Sequence, residues 1–247
     1  MKVALIGDVH ANLPALEAVL EHARQHGVEA IWNVGDFVGY GAFPDEVVSR
    51  LREERAVSIQ GNYDRKVLKV KKKREHWEKH KTPEKWLAFE WAYKHLSSDN
   101  RRYLRDLPKE HRLHPLGRKI LLVHGSPVSQ DEHLTLLTPV DRLKELAEMA
   151  AAEIVVCGHS HQPFTRFAVG TWFINTGSVG RPDDGDPRAA YALLDLHAQG
   201  CEAVHFRIEY DLSREIEAIH KAGLPEDFAR MTHQGRSLED IQGKPQE

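Results

Sequence analysis

The sequence predicts an α/β fold, a layered sandwich of sheets and helices. Three observations carry that expectation. Short apolar runs recur along the chain, and each stops at a small set of Gly, Asp, Asn or His residues. Amphipathic helical patterns fill the gaps between the runs. The chain has 247 residues, with 41% hydrophobic and 29% charged, a globular composition that is neither disordered nor membrane-embedded.

The elements follow in order. Residues 3–6 form a first strand that ends at Gly7-Asp8. A helix follows, with Leu13, Leu16, Leu20 and Ala23 on one face, Asn12 as N-cap, Pro14 in the first turn and Gly27 as its stop. Residues 30–34 run into Gly35-Asp36, and residues 56–60 into Gly61-Asn62. Residues 120–123 run into His124-Gly125, 154–157 into Gly158-His159-Ser160-His161, and 172–174 into Asn175-Thr176-Gly177. Such uninterrupted apolar runs suit parallel strands covered on both faces. Between the 120–123 and 154–157 runs lies a helix opened by Thr138 as cap and Pro139 as first residue, with Leu143, Leu146 and Ala147 inward beside Ala150 or Ala151. Residues 190–196 and 203–210 read as an antiparallel pair. One short helix (Leu212, Ile216, Ile219, His220) then ends at Gly223, and the polar stretch 233–247 reads as frayed. Residues 1–247 are expected to form a single domain.

An insert at about 65–115 interrupts the alternation and reads as helical, with Trp77, Trp86, Phe89, Trp91 and Tyr93 among charges. Residues 65–81 hold nine basic and two acidic side chains, a net of +7 in a chain of net −3. Three readings stand for it: a solvated helical pair whose aromatics pack on the sandwich, a basic flap that attracts an anionic substrate, or a nucleic-acid surface. Two cysteines, Cys157 and Cys201, cannot make a disulfide framework. No apolar run approaches the ~20 residues of a membrane span, and the first one is too short for a signal peptide. A cytoplasmic protein with no membrane partner is the expectation; the oligomeric state is open.

In open α/β sheets, ligands gather at the carboxyl ends of strands. Five such ends would bring together Asp8, His10, Asp36, Asn62, His124, His159 and His161. Two carboxylates, one amide oxygen and four imidazoles, with no thiolate, suit divalent manganese, iron, zinc or nickel. Asp8 and His10, one residue apart, can reach one ion from an extended loop; His159 and His161 could serve one ion or two. Seven ligands exceed one tetrahedral site and fit two ions if one carboxylate bridges, the usual arrangement for displacement at phosphorus.

The motifs Gly7-Asp8-Val9-His10, Gly35-Asp36, Gly61-Asn62-Tyr63-Asp64, His124-Gly125 and Gly158-His159-Ser160-His161 occur in that order. With Gly39-Tyr40-Gly41, Ser126-Pro127 and residues 175–180 they make a chain that resembles the calcineurin-like metallophosphoesterase superfamily over roughly residues 1–210. It looks closest to the small single-domain phosphodiesterases of bacteria and archaea. The resemblance implies an α/β/β/α sandwich. It also implies a first metal on Asp8, His10, Asp36 and His161, and a second on Asp36, Asn62, His124 and His159, with Asp36 bridging. A hydroxide between them would attack a small phosphoester, a diester more than a monoester or nucleotide. Asp64 would orient a neighbouring side chain or a ligand imidazole. Tyr63 stands where the family's pattern has a histidine, so it either lines the substrate pocket or donates a hydrogen bond to substrate. A non-catalytic scaffold of the same fold and a nuclease using the basic insert are the alternatives. Arg181 and the acidic residues from Asp183 to Asp186 lie on either an active-site loop or a plain surface loop.

Overall fold

The computed structural model describes residues 1–243. The chain opens with β1 (Lys2–Ile6), α1 (Leu13–Gln25), β2 (Ala30–Asn33), α2 (Pro44–Glu53) and β3 (Val57–Ser58). Four helices follow: α3 (Asn62–Leu68), α4 (Val70–His80), α5 (Pro83–His95) and α6 (Ser98–Asp106). Then come β4 (Glu110–Leu113), β5 (Ile120–Val123), α7 (Val140–Ala150), β6 (Ile154–Cys157), β7 (Phe164–Ala168), β8 (Thr171–Asn175), β9 (Ala189–His197) and β10 (Gly200–Ile208). The last described helices are α8 (Leu212–Lys221), α9 (Glu226–Gln234) and α10 (Leu238–Gln242).

The strands build two sheets, ordered β10-β9-β1-β2-β3 and β4-β5-β6-β8-β7. In each sheet the three strands that end at candidate ligand loops or next to them run parallel, and antiparallel strands sit outside them. Period-two alternation decides the layers. Val3 and Leu5 of β1 face the second sheet and pack with Ile120, Leu122, Ile154, Val156 and Ile174. Ala4 and Ile6 face the other way, onto Leu16, Val19 and Leu20 of α1 and Val47 and Leu51 of α2. On the far side, Leu121, Val123, Val155 and Phe173 lie under Leu143, Leu146 and Ala150 of α7. The result is the expected α/β/β/α sandwich. Each fully buried Leu, Ile, Val or Phe contributes about 1.5–3 kcal/mol, so this core is a large part of what holds the strand ends in place.

Several expectations need correction. The insert is helical only as far as Asp106. Residues 110–113 form β4, an edge strand antiparallel to β5, whose polar Glu-His-Arg-Leu sequence carries no apolar run. β7 is also an edge strand that the periodicity missed. The insert's aromatics do pack down: Phe89 is buried, and Trp77, Trp86 and Tyr93 cover the α1–α2 core. Its Lys71, Lys72 and Lys73 are exposed. Thr138 does not cap α7; Pro139 is the cap residue, and the Thr138 hydroxyl accepts from the Thr135 amide instead. Residues 233–243 are not frayed. His233 and Gln234 end α9, Ser237 caps α10, and Leu238 is 1% exposed in a cluster with Tyr40, Phe228 and Met231. Residues 244–247 lie outside the described residues. Among the described residues no helix is long and apolar enough to cross a membrane.

Candidate active site

All seven predicted ligands stand at one edge of the two sheets, six on loops and Asn62 as the first residue of α3. Five of the loop residues, Asp8, His10, Asp36, His159 and His161, have left-handed backbone with φ between 48° and 65°. That region is uncommon for residues with a Cβ, although Asp, Asn and His enter it more readily than most. The loops hold it because they bond to one another: Asp8 N–H donates to Gly35 O at 3.0 Å, His10 N–H to Asp36 O at 3.0 Å, and His159 N–H to Asp8 Oδ2 at 2.9 Å. They also approach closely. A Cβ at Gly61 would lie 2.1 Å from Asp36 Oδ1, which leaves glycine as the residue that fits.

The side chains converge. His10 Nε2 lies 3.3 Å from His161 Nε2, and His161 Nε2 lies 3.4 Å from Asp8 Oδ1. Asp36 Oδ2 stands between two imidazoles, 3.4 Å from His124 Nε2 and 3.9 Å from His10 Nε2. Asp8, His10 and His161 offer ligand atoms within 4.8 Å of one another, and so do Asp8, Asp36 and His124. His159 belongs to neither group. It borders the same cavity as Asp36 and Asn62, with its ring 5.0 Å from His124 and 4.4 Å from His133.

The charges respond to this crowding. Burial pulls His124 down, but the Asp36 carboxylate outweighs it and lifts the imidazole to about 9. Burial likewise opposes, and Asp8 and Asp183 overcome, the rise of His161 to about 9. Burial, with His124 beside it, presses His159 down to about 3. Burial works against ionising Asp8 and Asp36, yet the facing His161 and His124 hold both below the ordinary carboxylate range.

These residues fit divalent cations. Asp8 Oδ1, Asn62 Oδ1 and His124 Nε2 are buried and make no hydrogen bond among the described residues, a state that costs about 1–3 kcal/mol per group unless something binds them. His124 Nδ1–H donates to Val34 O at 2.8 Å, which fixes the tautomer that presents a lone pair at Nε2. The Asn62 amide nitrogen donates to Asp131 Oδ1 at 2.8 Å, which leaves Oδ1 as the free end. Cys157, in the helix-facing core of β6, takes no part.

Asp64 is fully buried beside the Asp36 loop. Among the described residues it does not line the cavity. Its Oδ2 accepts from Asp36 N at 3.0 Å and Gly61 N at 2.9 Å, and its Oδ1 from Phe37 N at 3.0 Å. It therefore positions Asp36 through the backbone. Burial, with Asp36 close by, raises it to about 7. Tyr63 does border the cavity. Its hydroxyl is 2.9 Å from that of Tyr40, its ring is edge-on to His10 at 5.1 Å, and burial holds its hydroxyl well above 10.

The cavity, which Asp36, Asn62, His159 and His161 help to line, measures about 240 Å³. Its wall also holds Arg181 and Asp183, whose loop had two readings, Ser237 and Glu239 from the stretch expected to fray, and His133 and Lys85, which carried no expectation. Asp183 Oδ2 lies 3.3 Å from His161 Nδ1. Asp131, which holds Asn62, was also missed; burial opposes its ionisation, but Asn62, Lys66 and Arg65 keep it down at about 2. His133 follows His124 in the same strand-end loop, which was the available signal. Ser237 and Glu239 come from α10 and its cap, where the fraying expectation hid them.

Two facing sheets whose parallel strands deliver buried nitrogen and oxygen ligands to one edge define a metal-dependent hydrolase of phosphoric esters. The chain belongs to the calcineurin-like phosphoesterase superfamily, whose domain model matches residues 1–199. A protein of Methanocaldococcus jannaschii designated MJ0912 is 32% identical over 249 residues, covering 95% of this chain and 98% of that one. Phosphodiesterase YfcE of Escherichia coli K12 is 25% identical over 205 residues, 79% of this chain and 88% of that one. The crystal structure of a metallophosphoesterase from Sphaerobacter thermophilus superposes with a TM-score of 0.79 at 29% identity, over 95% of this chain and 99% of that one. A protein from Pyrococcus horikoshii OT3, PH1004, gives 0.85 at 23% identity, over 95% and 98%, and shows the shared fold.

Proposed function

We propose that the chain hydrolyses a small phosphodiester with two divalent cations, manganese being our assignment and iron, zinc or nickel the alternatives. Asp8, His10, Asp36 and His161 would hold one ion, and Asp36, Asn62, His124 and His159 the other. The carrying observation is Asp36 Oδ2, which lies within 4 Å of imidazole nitrogens on both sides, His10 and His124. The name of the YfcE phosphodiesterases supports a diester. When bound, two such ions supply hydroxide near neutral pH and offset the charge growing on the phosphoryl oxygens.

The protein's own groups fix the rest. Asp64 holds the Asp36 backbone, Val34 O holds the His124 tautomer, and Asp131 turns the Asn62 oxygen free. Tyr63, tied to Tyr40 and high in pKa, keeps its proton at neutral pH. It supports esters whose leaving group departs as a stable anion. The cavity of about 240 Å³ admits a small ester. We take sandwich, insert and C-terminal helices as one domain, because Tyr40, Ala88 and Phe228 share one apolar cluster.

The test uses bis(4-nitrophenyl) phosphate and elemental analysis. The wild type should hold two manganese ions per chain and turn over. Asp36→Asn should lose both bound metal and more than roughly 1,000-fold in rate, as expected for removing a shared ligand and its charge. Unchanged rate and metal content in that variant overturn the assignment.

A further inference from the structure

The guanidinium of Arg181 is the one cation beside the cavity whose charge is set in a buried place without a matching acceptor at its Nε–H among the described residues. A buried charged donor without a partner is costly. Two carboxylates of the cavity wall, Asp183 and Glu239, favour its charge through space but make their close pairs with other groups. Asp183 lies 3.3 Å from His161 Nδ1, and Glu239 lies 2.6 Å from Lys85 Nζ. Lys66, also in the wall, lies 3.6 Å from Asp131. Arg181 instead rests on an aromatic platform. Its guanidinium carbon is 4.6 Å from the Tyr40 ring centroid, and the Tyr40 hydroxyl is 2.9 Å from that of Tyr63. Contact with a ring face stabilises a cation without using its N–H donors, so the fork remains available to an anion entering the cavity.

The backbone around Arg181 is fixed. Its amide donates to Ser178 Oγ at 2.9 Å, and Ser178 Oγ donates to the Asp8 carbonyl at 2.7 Å. The loop is thereby tied to the first ligand residue. Farther along, Gly185 N–H donates to Gly235 O at 2.8 Å, and Asp184 pairs with Arg236 in an isolated bridge. The guanidinium is held between the ligand loops and the C-terminal helices.

We propose that Arg181 binds a non-bridging oxygen of the substrate phosphoryl group, the charge-neutralising role that Tyr63, a neutral side chain committed to Tyr40, cannot fill. The inference rests on the phosphoesterase reading of the site. A planar guanidinium suits this task because two parallel N–H groups match two oxygens on phosphorus.

Two measurements test it. The first is calorimetric titration of inorganic phosphate into wild type, Arg181→Met and Arg181→Lys. Phosphate affinity should fall at least tenfold in Arg181→Met and less in Arg181→Lys; equal affinity in all three overturns the proposal whether or not the protein shows turnover. The second is turnover of bis(4-nitrophenyl) phosphate and of 4-nitrophenyl phenyl phosphate by the manganese-loaded protein. Arg181→Met should lose roughly 100-fold in kcat/KM, the scale of removing one oxyanion donor, by the same factor on both esters and with metal content unchanged. Arg181→Ala should recover rate with added guanidinium chloride, beyond any effect of sodium chloride at equal ionic strength, which a purely structural role would not allow. A loss of less than threefold, or no recovery, overturns the proposal. Absence of turnover in the wild type with phosphate affinity still dependent on Arg181 would instead overturn the hydrolase mechanism and leave the anion site standing.

Discussion

The strand-end loops and the C-terminal wall border the same cavity but are held by different means. The loops place Asp8, His10, Asp36, His159 and His161 in left-handed backbone and rely on bonds between loops to keep them there. The wall is built from α8, α9 and α10, regular helices that bury Ile219, Phe228, Met231 and Leu238 against Tyr40. The loops supply donor atoms with few degrees of freedom; the wall supplies shape.

Breaking the loops should have the largest effect. Asp64→Ala leaves the buried amides of Gly61, Asp36 and Phe37 without their acceptor. At about 1–3 kcal/mol for each orphaned group, the loss should exceed about 3 kcal/mol in urea unfolding and release bound metal. An equal stability with intact metal content would show that the loops are held by the sandwich alone.

Glu215 of α8 joins the two regions, since its Oε1 accepts from Ala42 N at 3.0 Å in the loop that carries Tyr40. Burial raises it to about 8 from 4.5. Its folded pKa lies above its unfolded one, so the folded protein keeps a proton that the unfolded chain releases. Its stability contribution is greatest below about pH 4.5 and declines as pH rises toward 8. Glu215→Gln lacks that decline. The unfolding free energy of the variant relative to wild type, measured in urea, should therefore rise between pH 5 and pH 8.5. The rise should total a few kcal/mol, at about 1.4 kcal/mol for each pH unit that separates the folded and unfolded pKa. A constant difference would place the proton elsewhere.

Disturbing the wall alone should have the smallest effect. Leu238→Ala removes a side chain that is 1% exposed, which costs about 2–3 kcal/mol. Metal content should stay at the wild-type value, because none of the seven candidate ligands belongs to the apolar cluster that holds Leu238. Loss of metal in this variant would merge the two regions into one cooperative unit.

The sequence made the loops legible because chemistry and strand patterning coincide there. Asp8, Asp36 and His124 each follow an apolar run whose burial on both faces allows little ambiguity. The wall was less legible because its helices are short and mostly polar. α9 and α10 offer one apolar turn apiece, Phe228 with Met231 and Leu238 with Ile241. Their signals were capping signals: Ser237 accepting from Asp240 N at 3.1 Å, and left-handed Gly235 and Gly243 as stops. β4 was missed for the same reason, as an edge strand needs no apolar run. The partners of Asp64 were not legible, since three backbone amides from two loops meet it only after folding.

The left-handed backbone of the ligand loops restricts the alphabet at those positions twice over. Aspartate, asparagine and histidine satisfy both the torsion and the coordination, whereas glutamate or cysteine could ligate but would pay in conformation. A chain relieved of metal binding could therefore accept glycine or asparagine at these positions without added backbone strain.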